Sequence, residues 1–210
     1  MKVVLSGLAF GLALTMGSSW ADDAGKPVPH VGDRWDWQHV NAMVNEQDYT
    51  KIEDVIEVTE ANFRTRIRKK GTPGNNFNTY TPDLNLVDNA TERYSPALAR
   101  FAFPLSVGKK WTAEFDKALL NNGKHGKFFM TGEVTSIEKV TVPAGTFDAY
   151  KVETRYEGQA TDDDANRGIT TEVHWYAPAV HNDVKITATF TKDGVVRTKD
   201  SYELLEYSLR

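Results

Sequence analysis

The sequence predicts an exported all-β protein, built as one antiparallel, strongly curved sheet or half-barrel with only minor helix. Three observations lead there. Apolar and charged side chains alternate with a period of two through much of the chain beyond residue 30, and turns bearing glycine or proline separate the alternating runs. The N-terminus also reads as an export leader, in a chain of 210 residues that has no cysteine. Hydrophobic residues make up 40% and charged residues 26%, a globular profile that excludes a disordered or fibrous chain.

The leader spans residues 1–21. It has a basic Lys2, an apolar run over residues 3–17, and Ser19-Trp20-Ala21 with small residues at the two positions a signal peptidase reads. Cleavage leaves residues 22–210 as a single β-rich domain, long enough to bury roughly 70% of the surface of its unfolded chain. No later run approaches the roughly 18 apolar residues of a spanning helix, so the mature chain is expected in the periplasm or the medium, without a transmembrane segment. The net charge of −4 excludes a generally basic nucleic-acid binder. With no cysteine there is no disulfide staple, thiol nucleophile or cysteine metal site, so the core must suffice alone.

The elements follow from periodicity. Over residues 63–70, Phe63, Thr65 and Ile67 fall on one face and Arg64, Arg66, Arg68 and Lys70 on the other, the pattern of a half-buried strand. Tyr150, Val152, Thr154 and Tyr156 alternate in the same way with Lys151, Glu153, Arg155 and Glu157. Ile169, Thr171, Val173 and Trp175 predict a third buried face, and Val184, Ile186, Ala188 and Phe190 a fourth. Weaker strands are expected at 34–44, 51–59, 111–116, 127–142 and 198–207. Pro143-Ala144-Gly145 predicts a three-residue hairpin loop with a bulge, and Lys192-Asp193-Gly194 a second hairpin. Two windows, 90–100 and 113–122, carry helix-forming composition. Residues 69–81 and 158–168 read as exposed, turn-rich stretches.

A faint echo links Val31-Gly32-Asp33-Arg34-Trp35 to Val107-Gly108-Lys109-Lys110-Trp111. It suggests either two related β-halves, about 30–100 and 103–210, or a recurring way to start a strand from a glycine turn.

Three further segments carry a resemblance: FPLSVGKKW (103–111), GEVTSIEKVTVPAGTFDAYKVE (132–153) and TEVHWYAPAVHNDVKI (171–186). In this order they resemble the TapB-like group of exported bacterial β-domains of unknown function, over residues 103–210. The resemblance implies an antiparallel curved sheet like those of lipoprotein carriers and lipocalins, and no assigned chemistry or site residues. His181-Asn182 stands where that pattern usually has glycine.

Few residues point to chemistry. Asp162, Asp164 and Asn166 space oxygen ligands as a hard cation needs, although Arg167 stands where such a loop turns on glycine. The histidines at 30, 39, 125, 174 and 181 lack metal-ligand spacing; His174 and His181 read as surface residues, and zinc would need His39 and His174 to converge. No cofactor is implied. Arg64, Arg66 and Arg68 form a basic stripe for an anionic group, with Glu53 and Glu57 as candidate neutralising neighbours. Trp35, Trp37, Trp111 and Trp175 are candidates for the apolar wall of a ligand cavity.

Together these features predict a non-catalytic binding protein of the cell envelope, holding a lipid-like or amphipathic ligand on a concave sheet face. An envelope protein partner without a ligand cavity, a carboxylate-based hydrolase and an outer-membrane barrel are the alternatives.

Overall fold

The computed structural model describes residues 23–44, 46–158 and 168–210. The leader and the Asp162–Asn166 segment lie outside the described residues. Twelve antiparallel strands follow one another in chain order: β1 (Arg34–Asn41), β2 (Glu46–Val58), β3 (Phe63–Lys69), β4 (Asn76–Tyr80), β5 (Leu86–Asp88), β6 (Glu92–Leu98), β7 (Lys110–Leu119), β8 (His125–Val142), β9 (Gly145–Gly158), β10 (Ile169–Ala177), β11 (Asn182–Lys192) and β12 (Val195–Ser208). Each pairs with its predecessor, and β1 also pairs with β12 from Arg34↔Ser208 to Asn41↔Asp200. The sheet is therefore a closed barrel, not the expected half-barrel. Closure satisfies the backbone groups that the edges of an open sheet would leave free.

Both windows of helix-forming composition are strands. In β7, Trp111, Ala113, Phe115 and Lys117 alternate with exposed Thr112, Glu114 and Asp116, so pairing to β6 and β8 overrides local propensity. Part of the 69–81 stretch is also sheet, as β4. The Pro143-Ala144 turn is two residues long, closed by the Val142↔Gly145 pair, rather than a three-residue loop. The second hairpin forms as expected on Asp193 and Gly194, whose φ of 52° and 73° suit a two-residue turn that follows the sheet twist. After β10, Pro178–Val180 make one 3-10 turn ended by His181 at φ 57°, a left-handed position ordinarily given to glycine.

The repeated V-G-x-x-W segments adopt the same turn. Gly32 and Gly108 have φ of 97° and 86°, and their N–H groups donate to the carbonyls of Val55 and Val134. Val55 and Val134 donate in return to Asp33 and Lys109. The indoles of Trp35 and Trp111 then each donate 2.8 Å to a backbone carbonyl, of Val180 and Ala99 respectively.

Eight strands make a barrel whose interior side chains can fill, and the bore widens with strand number, so twelve need extra filling. The segment between β6 and β7 supplies it at one end. Phe101 and Leu105 are fully buried; Phe101 packs on Tyr176 and His174, and Asn85 clamps its backbone with two hydrogen bonds of 2.9 and 3.1 Å. The N-terminal segment lies over this plug through an Ala24–Leu105 bridge. Buried Asp33 fastens the rim beside it, accepting from the backbone N–H groups of His30 and Arg210.

Candidate functional site

The other end carries the loops β1–β2, β3–β4, β5–β6, β7–β8 and β11–β12, and several inward-facing side chains are more exposed toward it. Trp37 and Leu204 are sealed while Tyr202 is partly open; Thr65 is sealed while Ile67 is partly open; Tyr94 and Phe115 are buried while Glu92 and Lys117 reach water. Among the described residues, the lumen is thus sealed by the aromatic plug at one end and partly exposed at the other.

The lumen wall combines aromatic and ionisable groups. Cross-strand register sets Trp37 opposite Lys51 and His39 opposite Tyr49, all facing inward. The Lys51 ammonium lies 5.1 Å from the ring centres of both Trp37 and Tyr202 and pairs with Glu53 at 3.2 Å. Glu53 also accepts from the Thr65 hydroxyl at 2.9 Å and the Tyr80 hydroxyl at 3.2 Å. At the mouth, His39 stacks between Tyr49 and Tyr202, with Asp200 at 3.1 Å from one ring nitrogen and Asp48 at 3.3 Å from the other. Opposite, Tyr94 donates to Glu92 at 2.6 Å, and Glu92 pairs with Lys117 at 3.1 Å.

At the floor sits His174, with no exposed surface, 2.8 Å from Asp183 and 3.2 Å from Glu172. Burial works to lower its pKa, but the charge and hydrogen bonds of Asp183 and Glu172 outweigh burial and push it up to about 9. Burial likewise opposes ionisation of Glu172, yet His174, Arg100 and Tyr156 hold its carboxyl below the ordinary range. The imidazolium thus keeps both protons between two carboxylates. Together with Arg100 it balances their charge, it joins β10 to β11, and it is not free to act as a base. Burial raises the tyrosines Tyr80, Tyr94, Tyr156 and Tyr202, helped by nearby carboxylates or hydroxyls, so they remain hydrogen-bond donors.

Several buried polar atoms around this lumen have no protein partner: the Trp37 indole nitrogen, the Thr154 hydroxyl, Arg100 Nε and Asp183 Oδ1. Buried donors and acceptors are satisfied in nearly all native proteins, so these atoms suit a water or a ligand with polar atoms of its own.

The sequence candidates divide accordingly. Trp35 and Trp37 share the inner face and are both buried, Trp37 beneath the Lys51 ammonium and Trp35 bonded to Val180. Trp111 also points inward, flat on Gly132 beside the plug. Trp175 lies on the outer face, where its indole donates to Glu138, so it does not wall the lumen. The buried face of β10 is Glu172, His174 and Tyr176, the reverse of the Val173 and Trp175 face that hydrophobicity indicates, and His174 is no surface residue. Arg64, Arg66 and Arg68 do form an outer stripe, but Asp54, not Glu53 or Glu57, neutralises Arg66 and Arg68. His39 and His174 do not converge; each is held by its own carboxylates. Among the described residues no group of three acids or histidines is arranged to hold a metal ion.

Outward residues at mid-barrel include Lys151, Glu153, Arg155 and Glu157 on β9, ion-paired within the strand as Lys151–Glu153 and Arg155–Glu157. A lipid-facing wall carries an apolar band at that height, so these faces suit water and count against the outer-membrane alternative. Among the described residues no helix is long and apolar enough to cross a membrane.

No family model and no curated protein matches the chain. Solved structures do. A protein named as a lipoprotein from Parabacteroides distasonis aligns at TM-score 0.52 and 16% identity, over 89% of this chain and 100% of its own. An exported protein with a YmcC-like fold from Bacteroides fragilis aligns at 0.56 and 13%, over 88% and 99%. The hypothetical lipoprotein YmcC from Escherichia coli aligns at 0.51 and 7%, over 85% and 86%. At these identities the likeness concerns the fold, which is YmcC-like.

Proposed function

We propose that this protein is an exported, non-catalytic binding protein of the bacterial cell envelope that holds an amphipathic small molecule in the open half of its barrel. The observation that carries the reading is a lumen plugged at one end and partly exposed at the other, whose wall mixes aromatic rings with buried polar atoms lacking protein partners. The ligand's apolar part would lie against Trp37, Tyr202, Tyr156 and Ile186. Its polar part would meet the Trp37 and Arg100 N–H groups and the Thr154 hydroxyl. The address is supported by the leader-like N-terminus, by the resemblance of residues 103–210 to TapB-like exported domains, and by structural neighbours named as exported proteins or lipoproteins.

Native mass spectrometry of the protein isolated from its own envelope fraction, followed by solvent extraction, tests the reading. A stoichiometric adduct that extraction identifies as an amphiphile is expected. A bare mass, together with no saturable binding of a dansyl-labelled fatty acid, would overturn the proposal in favour of a protein-interaction module.

A further inference from the structure

A second cleft lies on the outer wall, away from the lumen, with a volume of about 630 Å³, within the range of small-ligand sites of roughly 300–1,000 Å³. Cross-strand register builds it. Arg64 pairs in register with Glu57 on one side and Thr79 on the other, Thr79 with Asp88, and Asp88 with Arg93, so one outward row crosses β2 to β6. The small Thr79 lies in mid-row, between the bulkier groups on either side. Phe77 stands next to it, on the same outward side as Arg66, and the Arg64 guanidinium is stacked 4.3 Å from the ring centre.

The row excludes two ligand classes. Arg64 and Arg93 each stand in register with an acid, Glu57 and Asp88, with Arg93 Nε 3.9 Å from Asp88, so the charges along the row alternate in sign and present no cationic cluster to an anion. Its lining is mainly polar, which disfavours an apolar ligand. The strands beneath belong to the closed sheet, and the stretch of β4 without a partner on its β5 side, Asn76–Asn78, is three residues long and offers little ladder to an added peptide strand. What remains is a rigid aromatic–guanidinium platform beside alternating donors and acceptors. A hydroxyl both donates and accepts, so a run of hydroxyls around a ring with an apolar C–H face matches this arrangement. We infer that the outer cleft between β2 and β6 binds a neutral oligosaccharide, lying along the Arg64–Thr79–Asp88–Arg93 row against Phe77. This inference stands independently of the lumen ligand.

Chemical-shift mapping on the mature protein, with chitotetraose and maltotetraose as probes, tests it. Shifts confined to the β3–β6 outer face are expected with at least one probe. Phe77→Ala and Arg93→Ala should each weaken that binding at least tenfold, while Glu114→Ala, on the outer face of β7, leaves it unchanged. Arg93 is largely exposed, so its variant remains decisive even if Phe77→Ala fails to fold. No shift with either sugar at millimolar concentration overturns the inference, and so does binding that Arg93→Ala leaves intact.

Discussion

Replacing His174 and Asp183 together, by glutamine and asparagine, should remove a specific pH dependence of stability. In the folded chain His174 has its pKa pushed up to about 9, against an ordinary 6.5. That difference corresponds to about 3 kcal/mol at its limit, and full burial leaves little solvent screening to reduce it. Because the folded value is the higher one, the contribution is fully present below pH 6.5 and is lost as pH rises through about 9. The wild type should therefore lose about 3 kcal/mol of unfolding free energy between pH 6 and pH 10 that the double variant does not lose. Removing Asp183 together with His174 avoids stranding that carboxylate, while Glu172 keeps Arg100 and Tyr156 beside it. Urea unfolding followed by tryptophan fluorescence at several pH values measures the difference, and an NMR titration of the His174 ring fixes the pKa directly. Parallel stability profiles for the two proteins, or a His174 ring that titrates below 6.5, would refute the reasoning.

Two other substitutions probe the plug and the turn beneath the barrel. A Cβ at Gly132 would stand 2.2 Å from Trp111 Cε2, so Gly132→Ala should expel the indole, break its bond to Ala99, and cost about 2–3 kcal/mol with a red-shifted emission. An unchanged spectrum and midpoint would contradict the packing described. His181 has φ 57° and a buried Nδ1 without a partner, so His181→Gly should stabilise the fold by about 1 kcal/mol, raising Tm by roughly 2–4 °C in calorimetry. A lowered Tm would mean that the imidazole packs better than the strained backbone suggests.

Alternation was legible wherever the outer face is charged and the inner face apolar. Phe63, Thr65 and Ile67 in β3, and Tyr150 to Tyr156 in β9, face inward as their pattern indicates. The same rule misread β10, because the inner face there is polar: Glu172 and His174 turn inward, while Val173 and Trp175 cover the outside. Hydrophobicity locates the inside of a sheet only when the inside is apolar. Closure was illegible for a different reason. The β1–β12 ladder joins residues about as far apart as the chain allows, and no local spacing encodes it. The helical reading of 90–100 and 113–122 followed propensity, which the neighbouring strands overrule. Of the candidate site, the sequence made legible that Trp35 and Trp37 share one inner face, as they do in the barrel. The site's ionisable members are scattered over strands β1, β2, β4, β6, β7, β9, β10, β11 and β12 and meet only in the closed barrel.

A chain without cysteine allows the half-open lumen to be tested directly. Ile186 faces inward between Tyr202 and His174, in the partly solvated half, while Val152 faces inward at the sealed floor. In single-cysteine variants, a charged methanethiosulfonate should modify Ile186→Cys in the native state, be blocked there by a bound dansyl-labelled fatty acid, and spare Val152→Cys. Equal protection of both thiols in the ligand-free protein would mean a filled barrel and would contradict the account.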